Sequence, residues 1–171
     1  DFVIGMVSRG IIEKGWDSLL HAFLELNCSN CWLLLVGGGS YLDELQNTFK
    51  HDRVIFTGEV ADPLSYIKRF DVGCLPSRYT AESLPTVILE YMALGKPVIA
   101  SDIGGVAGML GIGTSVPAGI AIPVGSTDEI KFSLKEALDQ IIKNSELRIQ
   151  LQAATKDCMA PFEMDRCVDA Y

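Results

Sequence analysis

"DVGCLPSRYTAESLPTVILEYMALGKPVIAS", running from Asp71 to Ser101, holds one full unit of the pattern that organises this chain. It opens on a short apolar run (71–75), crosses a polar loop, enters a segment of helical period near Pro85, and returns at 97–100 to a second short apolar run. In "LGKP", Gly95 can take the left-handed conformation just past a helix end, and Pro97 prevents the helix from continuing. Two strands that are apolar throughout, joined by a helix, signal a parallel sheet covered on both faces.

The pattern repeats on both sides of this unit. Further strands are expected at 2–7 (FVIGMV), 32–36 (WLLLV), 53–57 (RVIFT) and 119–123 (GIAIP), which makes six with the two already read. Between them, Trp16, Leu19, Leu20 and Phe23 fall at i, i+3, i+4 and i+7, so one apolar stripe faces the sheet. A second helix is expected over 40–50, with Ser40 as its N-cap, and a third at "ADPLSYIKRF", with Asp62 as N-cap and Pro63 at the first helical position. After residue 127 the chain reads as mostly helical, capped by Ser126 or Thr127. The fold class is therefore α/β: a doubly wound, Rossmann-like, six-stranded parallel sheet in the order 3-2-1-4-5-6. Such sheets bind ligands outside the carboxyl ends of strands one and four, where the winding reverses.

A length of 171 residues with 49% hydrophobic content suits one domain with a full core. No repeat, low-complexity tract or linker interrupts it. The chain opens directly on a strand without an initiator methionine, which reads as a piece of a longer protein. Net charge is −8, and neutralising a phosphate rail takes clustered Lys and Arg, so no nucleic acid is expected as partner. No run approaches the ~20 apolar residues of a membrane span, and no signal-peptide pattern opens the chain. The five cysteines, an odd count, point to reduced thiols and a cytoplasmic setting. "CSNC" (28–31) follows a helix and precedes a strand, the reverse of a thioredoxin-type arrangement, and His21 and His51 are the only histidines to complete a metal site. Metal and redox chemistry are not expected, and no Ser/His or Cys/His nucleophile has a good candidate.

The topology should bring two polar stretches together. "SRGIIEKG" after the first strand carries Arg9 and Lys14, and "PSRYTAESLP" after the fourth carries Glu82, with Glu90 a turn and a half into the next helix. An arginine fork and a lysine point charge beside a helix start suit a diphosphate and its stabilisation as a leaving group; two solvated loop residues are the competing reading. Glu90 can accept both hydroxyls of a ribose diol and Glu82 a sugar hydroxyl, although exposed glutamate pairs are more often structural. The amides of Leu84 and Thr86 should face phosphate, with Pro85 removing one donor. "GGG" (37–39) lacks the G-x-G-x-x-G dinucleotide spacing, which argues against NAD. Gly104 and Gly105 in "SDIGGVAG" allow either close approach to a ligand or a tight turn.

"SRGIIEKGWDSLLHAF", "LLLVGGGSYLDEL", "RVIFTGEV", "FDVGCLPSRYTAESLPTVILEYMALGKPVIASDIGG" and "GIAIPVGSTDEI", in this order and spacing, resemble the C-terminal half of a retaining glycosyltransferase of family 4 with the GT-B fold. The resemblance covers essentially the whole chain, including the closing "PFEMDRCVDAY", and its most specific element is the pair of glutamates eight residues apart. It implies that Arg9 and Lys14 bind the diphosphate of a UDP-, GDP- or ADP-sugar, Glu90 the ribose and Glu82 the donor sugar. It further implies that the backbone at Val60 meets the base and that Ser83, Leu84, Pro85 and Thr86 lie along sugar and phosphates. The implied reaction is metal-independent, without cofactor. It transfers the sugar with retention to a hydroxyl of a glycan, lipid or small-molecule acceptor held by an N-terminal domain absent here, and it allows peripheral membrane association. Ser83-Leu84 stands where the family often has Gly-Phe, which bears on sugar choice, and Gly108 where it often has Glu, which bears on local structure. Two other readings are a GT-B-fold sugar-nucleotide epimerase and a non-catalytic nucleotide-binding module; presence of Arg9, Lys14 and Glu90 argues against the module. A mean hydropathy of +0.26 fits a face normally buried against the missing half.

Overall fold

A computed structural model describes residues 1–79 and 81–162. The closing helix expected from "PFEMDRCVDAY" falls mostly outside them. In chain order the elements are β1 (Phe2–Val7), α1 (Trp16–Leu24), β2 (Cys31–Val36), α2 (Ser40–Thr48), β3 (Val54–Phe56), α3 (Pro63–Ile67) and β4 (Val72–Leu75). They continue with α4 (Thr86–Ala93), β5 (Val98–Ser101), α5 (Val106–Met109), β6 (Gly119–Ile122), α6 (Thr127–Lys143) and α7 (Ser145–Met159). Single 3-10 turns at Ile12–Lys14 and Ala160–Phe162 complete the set. All five strand pairings are parallel, in the order β3-β2-β1-β4-β5-β6. This is the topology expected from the sequence.

Right-handed crossovers place α1 and α2 on one face and α4 and α5 on the other. The two long C-terminal helices complete the layers, α6 packing against α1 and α7 against α4. The α1 stripe is buried as its period requires: Trp16, Leu19, Leu20 and Phe23 belong to the core that joins the helices to Ile4, Met6, Leu33 and Leu35 of the sheet. Each such side chain contributes roughly 1.5–3 kcal/mol by leaving water.

The seam between β1 and β4 is where the winding of the sheet reverses. The two strands pair only at Ile4↔Val72 and Gly5↔Gly73. A Cβ at Gly5 would come within 2.2 Å of the Phe70 ring, and one at Gly73 within 2.4 Å of the Tyr91 ring. The paired glycines therefore let two aromatic rings, 6.0 Å apart, press against the backbone. Past this point the strands separate. The Tyr91 hydroxyl fills the gap, accepting from the Val7 amide at 2.8 Å and donating to the Cys74 carbonyl at 3.4 Å.

Two local expectations are corrected, at Ser40 and at the cysteine pair, while Asp62 and Pro63 hold the N-cap and first helical positions expected of them. Ser40 is the first residue of α2 rather than its cap; Gly39, at a φ of +139°, takes the cap position, and the Tyr41 amide is satisfied by the Gly10 carbonyl of the neighbouring loop at 3.3 Å. Asp62 stands at the N-cap position of α3, but its carboxylate is taken by the Ser65 hydroxyl, which holds its pKa below the usual aspartate value. Cys28 and Cys31, expected to be reduced, are joined in a disulfide across a Cα–Cα distance of 5.5 Å. Other ends follow the sequence. Gly95 is left-handed (φ +68°) and, with Lys96, returns amides to the Met92 and Tyr91 carbonyls at the end of α4, while Ser126 and Glu129 form a reciprocal capping box on α6. No helix among the described residues is long and apolar enough to cross a membrane.

Candidate functional site

The loops that leave β1 and β4 are drawn together at one glycine. Gly15 adopts φ +77°, and a Cβ there would lie 2.1 Å from the Pro76 carbonyl oxygen. The β4–α4 loop thus rests on the turn that carries Lys14. Backbone and side-chain bonds then lock the contact. The Arg78 amide donates to the Glu13 carbonyl at 2.7 Å. Its guanidinium reaches the Ile12 carbonyl at 3.1 Å, the Asp17 carboxylate at 3.4 Å and the Thr127 hydroxyl. One arginine therefore ties together the loops after β1, β4 and β6.

Lys14 is 6% exposed, unusual for a lysine, and its ammonium lies 2.5 Å from Glu82 Oε2. Fully buried Ser77 donates to the same oxygen at 3.0 Å, with the Glu13 carbonyl as a longer alternative at 3.4 Å. The Ser77 hydroxyl in turn accepts from the Tyr79 amide at 3.1 Å, and the Tyr79 ring centre is 5.1 Å from the lysine nitrogen, a cation–π contact. The β1 loop is fixed on its other side, where the Trp16 indole donates to the Arg9 carbonyl at 2.9 Å.

A cavity of about 350 Å³ opens here, lined by Ser8, Arg9, Lys14, Glu82, Thr86 and Glu90, with Val7 and Leu75 at the strand ends and Pro63, Pro85 and Val87 at its sides. Two basic and two acidic side chains thus share one crevice at the carboxyl edge of the sheet, at the point of reversal. The carboxylate of Glu90 and the guanidinium of Arg9 form no hydrogen bond or ion pair with another described residue. Both retain their full bonding capacity for a ligand. A groove of about 790 Å³ at the α6–α7 junction is larger, but its Asp139 already bonds Lys143 at 3.0 Å and Lys135 at 3.2 Å.

Arg9, Lys14, Glu82, Pro85, Thr86 and Glu90 are therefore brought together as the sequence implied. Ser83 and Leu84 are exposed and lie outside the cavity lining, as does half-buried Val60 in the loop after β3, while Pro63 a few residues on reaches the cavity. Gly104 and Gly105 also lie outside it. The close approach they permit is to the chain itself: a Cβ at Gly104 would lie 2.1 Å from the Glu82 carbonyl oxygen, and the Gly105 amide donates to the Ser83 carbonyl at 2.7 Å. Sequence reasoning missed Ser77, Arg78 and Tyr79. The only signal for them was their place in a polar loop at the switch point. Among the described residues, no group of three or more His, Cys, Asp or Glu side chains is arranged to hold a metal ion.

Residues 1–157 match the family model of "Glycosyl transferases group 1". The chain is 30% identical over 154 residues to the alpha-D-kanosaminyltransferase of Streptomyces kanamyceticus, an alignment that takes in 85% of this chain and 38% of that protein. It is 32% identical over 155 residues to a GDP-mannose-dependent monoacylated alpha-(1-6)-phosphatidylinositol monomannoside mannosyltransferase of Corynebacterium glutamicum, covering 84% and 39%. Among solved structures, sucrose-phosphate synthase from Thermosynechococcus elongatus superposes with a TM-score of 0.75 at 25% identity, covering 94% of this chain and 41% of that one. Anabaena HepE in complex with UDP-glucose gives 0.70 at 26% identity, covering 93% and 45%. The chain thus spans about two fifths of the length of the curated relatives it matches, and by the extent of that match it belongs to the glycosyl transferases group 1 family.

Proposed function

We propose that this domain is the donor-binding half of a retaining glycosyltransferase of family 4, holding a nucleotide diphosphate sugar while an acceptor hydroxyl attacks. The observation that carries the reading is the cavity at the strand reversal, where Arg9 and Lys14 face Glu82 and Glu90. Arg9 and Lys14 hold the diphosphate, the N-terminal turn of α4 at Thr86 and Val87 adds partial positive charge, and Glu90 accepts the ribose hydroxyls. In transfer, the bond from the anomeric carbon to the phosphate oxygen breaks through an oxocarbenium-like state. The electron pair leaves with the diphosphate, whose charge Arg9 and Lys14 stabilise, and the acceptor oxygen bonds to the same face of the sugar as its proton passes to the departing phosphate oxygen. Relatives named for GDP-mannose and a structural neighbour solved with UDP-glucose support a nucleotide sugar as donor.

The acceptor belongs to a second half of the longer protein. In this reading that half faces the carboxyl edge of the sheet, where Ile12, Leu64, Leu84 and Val124 are all more than 40% exposed. Calorimetric titration with UDP, GDP and ADP and their glucose and mannose conjugates tests the site. One nucleotide series is expected to bind, and Arg9→Ala and Glu90→Ala should each weaken it by about 1–3 kcal/mol, the cost of losing a hydrogen bond to a charged group. A folded full-length protein that binds none of these nucleotides would overturn the reading.

A further inference from the structure

The lysine assigned to the diphosphate already has a partner within the chain. Lys14 and Glu82 meet at 2.5 Å with side chains only 8% and 11% exposed, Ser77 bonds the same carboxylate oxygen at 3.0 Å, and Tyr79 stands over the ammonium at 5.1 Å. Both charges line the cavity. A phosphate reaching Lys14 must share the ammonium with a carboxylate or displace it. Sharing sets two anions side by side next to side chains that are only 8% and 11% exposed, where repulsion is stronger than in open water.

From this geometry we infer that the Lys14–Glu82 pair is a latch that makes the site discriminate between a nucleotide sugar and the sugar-free nucleoside diphosphate; the inference rests on the donor-site reading above. When diphosphate takes Lys14, the Glu82 carboxylate is released from its cation. A nucleotide sugar supplies hydroxyl donors to the freed carboxylate. A bare nucleoside diphosphate has only its ribose hydroxyls, which the donor-site reading gives to Glu90, so the carboxylate keeps the Ser77 hydroxyl but has no counter-charge. The latch therefore acts against the product of transfer and favours its departure. Glu82 serves as the specificity-determining group, and Ser77, which lies outside the cavity lining, holds it in the latched position.

This predicts different responses from two ligands that carry the same diphosphate. Loss of a negative charge beside a diphosphate by itself relieves repulsion on both alike. Here Glu82→Gln should tighten binding of the nucleoside diphosphate about tenfold, in the range of coupling between contacting residues. The same substitution should weaken or leave unchanged the nucleotide sugar. Ser77→Ala should shift nucleoside diphosphate binding in the same direction by a smaller factor. The measurement is calorimetric titration of wild type, Glu82→Gln and Ser77→Ala with one diphosphate and its sugar conjugate, after circular dichroism has shown each variant to be folded. Thermal unfolding supplies a second readout: the diphosphate should raise the melting temperature of Glu82→Gln more than that of wild type. Nucleoside diphosphate binding that is unchanged or weaker in folded Glu82→Gln overturns the latch while leaving the donor-site reading intact. Wild type and variants that all fail to bind either ligand overturn both.

Discussion

A methyl group at position 15 would meet the Pro76 carbonyl oxygen at 2.1 Å, on a backbone already at φ +77°. Left-handed φ costs a residue with a Cβ roughly 1–2 kcal/mol before any clash. Gly15→Ala is therefore expected to destabilise the domain by at least about 2 kcal/mol in urea unfolding and to weaken nucleotide binding as well, since the two site loops separate. Arg9, Lys14, Glu82 and Glu90 were readable because the expected strand order sends the loops after strands one and four to one edge of the sheet and because their spacing resembles a known family; each pair taken alone reads equally well or better as solvated surface. Ser77 and Arg78 were not, because their importance lies in what they touch: Ser77 meets Glu82 and the Glu13 carbonyl, and Arg78 meets Ile12, Asp17 and Thr127. Those partners lie up to 66 positions away in the chain. Gly104 and Gly105 show the converse. Glycines announce a close approach without saying to what, and here the other party is the backbone of Glu82 and Ser83.

Elements end where local chemistry is self-contained and shift where it is not. The α6 capping box closes within four residues: the Ser126 amide and hydroxyl each bond Glu129 Oε2 at 2.8 Å, and the Glu129 amide returns to the Ser126 hydroxyl at 3.4 Å. A cap at Ser126 or Thr127 could be expected from the sequence for that reason, whereas the expected Ser40 cap gave way to a carbonyl supplied by a distant loop. The Ser126 amide and then its hydroxyl hold the Glu129 carboxyl below its ordinary pKa of 4.5. A depressed carboxylate contributes stability that is fully present above its unfolded pKa and is lost as pH falls through its folded value. Ser126→Ala should accordingly destabilise α6 by about 1 kcal/mol at neutral pH. As pH falls below the ordinary carboxylate range the difference from wild type should shrink, as a urea series at neutral and acid pH would show; a cost independent of pH would mean that the carboxylate has no part in the cap.

On the scale of the molecule, strand order was legible because six apolar runs alternating with helical segments leave few topologies. The disulfide was not, because cysteine pairing depends on geometry that an odd count obscures. One feature of the central seam also limits the conditions the whole fold tolerates. Burial pushes the Cys74 thiol well above its ordinary pKa of 9.0 and the Tyr91 phenol well above 10.0, despite the Val7 amide bonded to the latter. Neither group can ionise where it stands, yet both ionise freely in the unfolded chain. Raised pKa values of this kind give stability that is complete below the unfolded values and falls as pH climbs past them. The Tyr91 hydroxyl that bridges the ends of β1 and β4 must thus stay neutral. Alkali should erode the domain from about pH 9 upward, and Cys74→Ala should delay the onset of that erosion in denaturation midpoints followed against pH. The seam at which the sheet reverses is also its weak point toward base.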